Sequence, residues 1–265
     1  MDNLIKAVKE DKITKVKELI NKNIKDEYDV MLLLLLVIQN NSIKTMKFFI
    51  EKNININLQD NRGETALMYA IDYDNIEMIR LLLNAGANPN VLNTHNHTAL
   101  TLAIVGNSSN NIEIIEMLLN AGADATAKDR NNWTSLMRAI TLMQLMNCNY
   151  TKKITKIVRI LLNAGADVNV QNQYGFTALM YAIRDGFDNE CFNIVKLLIN
   201  SGADILIKNN KGESALSMAI NKAGICKDNN QNLYMLYTKI VYYLSKSLRT
   251  QFDNQVLNSF NDLSL

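Results

Sequence analysis

His95 and His97 are the only histidines in the chain, and they stand two residues apart. On an extended turn that spacing puts both imidazoles on one side, which is half of a metal site. A stable zinc site usually takes four ligands, and no cluster of Cys or carboxylates is placed to supply the others. The expectation is therefore an exposed turn, with no metal and no other cofactor. Cys148, Cys191 and Cys226 are odd in number and widely spaced, so they signal neither a disulfide framework nor a Cys-x-x-Cys knuckle. A reducing compartment follows. No Cys–His pair, Ser–His–Asp set or glycine-rich phosphate loop is apparent, and the chain reads as non-enzymatic. What remains is recognition chemistry. Arg130, Trp133, Tyr174 and Phe176 are mostly of the types enriched in interface hot spots, and Trp133 is the only Trp in the protein.

These residues sit in a repeating frame, best seen in DNRGETALMYAIDYDNIEMIRLLLNAGANPN, residues 60–90. A Ser/Thr-Ala/Ser-Leu-x-x-Ala segment begins at Thr65, Thr98, Thr134, Thr177 and Ser214, and Ala/Ser-Gly-Ala recurs at Gly86, Gly122, Gly165 and Gly202. Thr65 and Thr98 are 33 residues apart, as are Asn53, which holds the glycine place one unit earlier, and Gly86. Within the unit, Thr65 is a good helix N-cap, worth ~1 kcal/mol. Leu67, Ala70 and Ile71 give one short apolar stripe, and Ile76, Ile79, Leu82 and Leu83 give a second. Gly86 then supplies a left-handed cap. Asp60-Asn61-Arg62-Gly63 reads as a tight hairpin turn between units. Such a unit cannot bury its apolar face alone, but stacked copies can.

The unit resembles the ankyrin repeat, a 33-residue helix pair with a T-P-L-H-x-A start. Here the start is TALMYA at Thr65 and Thr177, TALTLA at Thr98, TSLMRA at Thr134 and SALSMA at Ser214. The family's Pro is replaced by Ala or Ser, and the single Pro of the chain is Pro89. The family's His gives way to Met68, Thr101, Met137, Met180 and Ser217. The network through that His is lost, so an array less stable than a consensus one is expected. The resemblance implies an all-α ankyrin-repeat solenoid of about seven stacked helix pairs with β-hairpin-like turns, over residues 1–248. Residues 249–265 would form a tail or a capping helix.

The first repeat, residues 2–24, is worn, with Asn23 in the glycine place. Lys6, Lys9, Lys12, Lys15 and Lys17 mark it as a polar terminal cap. The second has helices near 30–39 and 42–52, the first apolar on all sides and expected to be sandwiched. Later repeats are longer. Thr98 to Thr134 spans 36 residues, Thr134 to Thr177 spans 43 and Thr177 to Ser214 spans 37. The surplus falls between the two helices and builds a ridge along one edge. In the fifth repeat the first helix is expected to run on through Met143 and Met146, with a turn at 147–151 and a second helix from near Lys152. The seventh is read as a helix over 214–222, a loop over 224–231 and a last helix over 232–248. A net charge of +2 gives no reason to expect nucleic acid. The nine-residue run from Val30 to Ile38 is too short to span a bilayer. No signal-peptide core is visible at the N-terminus. The expected location is the cytoplasm, or a host cell's cytosol if the source is an intracellular bacterium or virus. The abundance of Asn and Ile reads as the bias of an AT-rich genome more than as function.

By the resemblance, partner contacts come from hairpin tips and the exposed side of each first helix. The candidate residues are Arg62, Tyr73, His95, Arg130, Trp133, Leu142, Tyr174, Phe176, Arg184 and Lys211. Asp72, Val105 and Asp185 share the inner-helix positions. Stacking should bring Arg130 and Trp133 beside Tyr174 and Phe176. The principal reading is a monomeric module, an adaptor, scaffold or inhibitor, that binds a protein partner. The alternative is a receptor for a nucleotide-like anionic ligand, with Trp133 stacking on the base and Arg130, Arg138 or Arg184 holding phosphate.

Overall fold

Five repeats start where a hydroxyl closes a helix end, and the second starts where the Asp26 carboxylate does. Thr65, Thr98, Thr134, Thr177 and Ser214 have extended backbones, and their side chains accept from the N–H three residues on, at 3.2 to 3.4 Å. The satisfied N–H is one that no intrahelical carbonyl can reach. Of the residues in the family's His place, four turn inward and Ser217 stays exposed. Met68, Met137 and Met180 are fully buried and fill core space.

In the computed structural model the described residues are 2–23, 26–106, 108–144, 148–186 and 188–262. They fall in two compact units, Met1–Asp124 and Ala125–Leu265. The first unit holds four helix pairs: α1 (Asp2–Lys9) with α2 (Ile13–Asn23), α3 (Glu27–Gln39) with α4 (Ile43–Glu51), α5 (Ala66–Asp72) with α6 (Ile76–Asn84), and α7 (Ala99–Val105) with α8 (Asn111–Asn120). The second holds three: α9 (Ser135–Thr141) with α10 (Cys148–Asn163), α11 (Ala178–Asp185) with α12 (Asn189–Asn200), and α13 (Ala215–Cys226) with α14 (Gln231–Asp262). First helices pack in a row, α1–α3–α5–α7 in one unit and α9–α11–α13 in the other, with second helices against them. The core lies between the rows, where Leu67, Ala70, Ile79 and Leu82 are inaccessible, as are Leu179, Ile194 and Leu198 in the second unit. The chain is thus an all-α solenoid. Among the described residues, extended pairing is confined to two isolated bridges, Lys128 with Thr134 and Lys208 with Ser214.

Asparagine side chains tie neighbouring repeats together. Asn90 donates its amide to the Gly122 carbonyl and accepts from the Asp124 N–H, at 2.9 and 2.8 Å. Asn57 does the same to Gly86 and Asn88, and Asn169 to Gly202 and Asp204. Each bridges to groups of the neighbouring repeat's glycine-capped helix end, a use that composition alone did not reveal.

The end repeats follow expectation in part. Leu4, Ala7, Val8 and Val16 are buried while all five lysines of the first pair are exposed. Helix α3 is packed by α1, α4 and α5 and buries Met31, Leu33, Leu34, Val37 and Ile38. The fifth repeat differs. Helix α9 ends at Thr141, a 3₁₀ turn takes Leu142–Gln144, and the surplus goes into a 16-residue α10 that starts four residues before Lys152. Met146 and Asn147 lie outside the described residues. In the seventh repeat α13 continues through Gly224 to Cys226, leaving only residues 227–230 between the helices. Helix α14 runs on through residue 248 to Asp262, so residues 249–262 continue it rather than start a new element.

Candidate functional site

Five hairpin tips are each built around one Asp or Asn. Asp60, Asn93, Asp129, Asn172 and Asn209 each accept, through Oδ1, the N–H groups two and four residues on, at 2.8 to 3.1 Å. The fourth residue of each loop has positive φ: Gly63, Asn96, Asn132, Gly175 and Gly212. Adjacent tips are joined through their backbones. In the second unit the Gln173 N–H donates to the Asn131 carbonyl at 2.9 Å, and the Asn210 N–H to the Tyr174 carbonyl at 3.1 Å. In the first unit Thr94 donates to Arg62. The tips are therefore fixed platforms, able to hold side chains in register.

On three repeats the helix reaches back to its own tip. Tyr69 donates its hydroxyl to Asp60 at 2.6 Å, Arg138 pairs with Asp129 at 2.6 Å, and the Asn172 amide donates to the Tyr181 hydroxyl at 2.6 Å. These occupy the x of the helix start. Burial raises the Asp60 carboxyl, but the bonds from Tyr69 and from the Glu64 and Arg62 N–H groups outweigh it and hold it below the usual range. Burial and the bond to Asp60 push the Tyr69 hydroxyl up to about 12.

In the second unit these devices enclose a concavity of about 490 Å³ lined by Trp133, Tyr174, Phe176, Tyr181, Arg184, Asn210 and Lys211. Its floor is Tyr181, 1% exposed. Trp133 and Phe176 are half-buried, and both rest on that ring, at centroid distances of 4.9 and 5.2 Å. The Arg184 guanidinium lies 4.4 Å from the Tyr181 ring and 5.4 Å from that of Phe176. Arg184 is held there by the buried Asp185, which accepts from its Nε and Nη2 at 2.5 and 2.9 Å. That bond, ahead of the opposing effect of burial, raises the guanidinium's affinity for its proton. Tyr174, Asn210 and Lys211 form the exposed rim.

Five of the sequence candidates thus converge: Trp133, Tyr174, Phe176, Arg184 and Lys211. Arg130 is exposed on the adjacent tip but is not among the lining residues. One lining residue escaped the sequence reading. Tyr181 carries the stacking, and the recurrence of Tyr at that place in the two TALMYA segments does not show which way it faces. Asn210 is expected at the same tip as Lys211, and it is fixed there by bonds to the adjacent tip. Leu142 is corrected: it is a buried residue in the 3₁₀ turn, because the chain tightens after Thr141 and turns it into the core. Asp185 is likewise buried, consumed by Arg184.

In the first unit Tyr73 and Val105 are exposed. Arg62 is exposed and pairs with the buried Glu64 at 3.2 Å. His95 is exposed beside His97, ring centroids 6.2 Å apart. Among the described residues no group of three or more His, Cys, Asp or Glu could hold a metal ion, and no helix is long and apolar enough to cross a membrane.

The chain matches the family model of ankyrin repeats in three copies over residues 4–93 and 142–234, and that of the single ankyrin repeat over 95–130. It is 39% identical over 72 residues, 26% of the chain, to alpha-latrotoxin-Lg1a of Latrodectus geometricus. It is 42% identical over 50 residues, 19% of the chain, to an ankyrin repeat protein of Acanthamoeba polyphaga mimivirus. Those stretches span only 5% and 12% of the two relatives' own lengths. Among solved structures, an ankyrin repeat domain from Acinetobacter baumannii AYE superposes with a TM-score of 0.67 at 27% identity, covering 84% of this chain and 98% of that one.

Proposed function

Since the chain belongs to the ankyrin repeat family, generally a protein-interaction fold, we propose that it is a non-enzymatic module that seats a protein partner on the concavity of its second unit. An adaptor, scaffold or inhibitor role fits such a module, working as a monomer in the cytoplasm or, given the viral relative, in a host cytosol. The observation that carries the reading is the concavity itself. Trp133, Tyr174 and Phe176 present aromatic surface beyond what the Tyr181 contacts consume, on tips that the backbone already holds rigid. Preorganised aromatic side chains beside a fixed Arg lose little entropy on binding, which is where interface affinity concentrates.

The test is a Trp133→Ala/Phe176→Ala variant, shown to be folded by circular dichroism, used beside wild type to capture partners from a cell extract. A Tyr73→Ala variant in the first unit is the control. The reading predicts that the double variant loses a protein that the control retains. Equal capture by both would remove the concavity from the binding surface.

A further inference from the structure

The same concavity carries a charge pattern that narrows what it can accept. Its lining includes two cations, Arg184 and Lys211, and no carboxylate. Of the carboxylates close to it in sequence, Asp185 is buried against Arg184, Asp129 is nearly buried against Arg138, and the half-buried Glu213 accepts from the Asn209 amide. On the same tips and at the isolated bridges that precede them, Lys128, Arg130, Lys208 and Lys211 are exposed. Among the described residues none of these four has an ion pair. The floor and walls are aromatic.

We propose that this site takes an acidic segment of a partner protein, with one large apolar side chain seated on Trp133, Tyr181 and Phe176 and flanking carboxylates held by Lys211 and the cationic rim; this rests on the protein-binding reading above. Carboxylate fits better than phosphate. Arg184 already spends its Nε–Nη2 edge on Asp185, and that buried carboxylate offsets its charge. One of the guanidinium's two bidentate edges is therefore taken, and with its charge offset the other has less to give a doubly charged phosphate than a free Arg would. What is left is a stacked, largely neutralised plane suited to an apolar or aromatic side chain, ringed by separate point charges. Such rim charges chiefly set partner choice and rate of encounter.

Trp133, as the only Trp, is a built-in reporter. The full chain is titrated with ten-residue peptides that combine a central Phe or Ser with Glu or Lys flanks, and with ATP. The proposal expects the Glu-flanked Phe peptide to shift Trp133 emission saturably and in a salt-dependent way. The Lys-flanked Phe and Glu-flanked Ser peptides should bind roughly tenfold more weakly or less. Reversing one exposed charge replaces attraction by repulsion, so Lys211→Glu should weaken the Glu-flanked peptide about tenfold and strengthen the Lys-flanked one. Lys211 is exposed at a tip, so this variant keeps the fold. Equal binding of the two Phe peptides, or no effect of Lys211→Glu, overturns the acidic partner while leaving the concavity as a docking site. Tighter binding of ATP than of the acidic peptide overturns it in favour of an anionic small ligand. If no Phe peptide moves the emission, the proposal falls, and the extract experiment decides separately whether the concavity binds protein at all.

Discussion

The family's helix-start His is missing, and its place is taken by Met or smaller polar residues, yet helix and tip are still coupled on three repeats. The coupling has moved to the next residue. Tyr69, Arg138 and Tyr181 reach their tip's Asp or Asn at 2.6 Å, so the expected loss of stability through the missing His is at least partly offset. Tyr69→Phe isolates one such bond. Removing a hydrogen bond to a charged, half-buried group should cost roughly 1–2 kcal/mol at neutral pH, read from urea unfolding. The pH dependence has two edges. Asp60 titrates lower in the folded state, so its contribution is complete above the unfolded carboxylate range near 4 and is lost as pH falls through the lower folded value. Tyr69 titrates higher in the folded state, so between about 10 and its folded value of about 12 the native protein keeps a proton the unfolded chain has released. Stability therefore falls as pH rises through that window. The gap between wild type and Tyr69→Phe should close at both extremes. A gap that is flat from pH 3 to 11.5 would show that the bond contributes nothing. Trp133 and Phe176 were legible as neighbours because tips stack in register. Tyr181, the ring beneath them, was hidden because residue x of a short helix can face core, tip or solvent, and spacing alone does not choose.

At the scale of elements, hairpin tips and glycine-capped helix ends each need one left-handed residue, but the cost of changing it differs between the two. Gly175 has φ +75, and a Cβ there would meet the Asn210 Oδ1 at 2.6 Å and its backbone nitrogen at 2.7 Å. Gly86, with φ +86, ends a helix where a Cβ would meet nothing within 4 Å. Gly86→Ala should cost only the left-handed penalty, about 1–2 kcal/mol. Gly175→Ala should cost clearly more, and it should break the Asn210–Tyr174 bond that aligns two tips. Comparing the two midpoints in urea, with Asn210 amide exchange as the local readout, checks this. Equal costs would mean the tips are free to shift apart. Asn169 gives a second element-scale test. Its two bonds to the next repeat, at 3.0 and 2.8 Å, are lost in Asn169→Ala, for about 1–2 kcal/mol at an exposed site. Composition suggested that the asparagines were incidental. Their function became visible only when the 33-residue period was laid over the helix ends, since a bridging amide has no sequence signature beyond its register. Helix boundaries were least legible where the repeat is longest. Surplus residues between α9 and α10 could extend either helix, and they extended the second.

Across the molecule, stability in a repeat array is close to a sum over repeats and their nearest neighbours, and this chain divides into units of 124 and 141 residues. The number of helix pairs and their order were legible because two independent marks, the hydroxyl cap and the glycine end, recur in phase. The division into two units was not, since it depends on which repeats pack most closely. Nearest-neighbour stability has a measurable consequence. Trp133 belongs to the second unit, so its fluorescence reports that unit, whereas far-ultraviolet circular dichroism reports all the helices. Leu67, 1% exposed, lies in the core of the first unit. Truncating it to Ala removes buried methyl groups and leaves a cavity, at a cost of about 2–5 kcal/mol. In urea, Leu67→Ala should move the dichroism transition to lower denaturant and broaden or split it, while the Trp133 midpoint stays within error of wild type. Leu179→Ala, the same position in the second unit and equally buried, should do the reverse and bring the Trp133 transition down. If both variants move both signals together, the array unfolds as one cooperative body. A partner bound at Trp133 would then stabilise every repeat by mass action rather than the second unit alone.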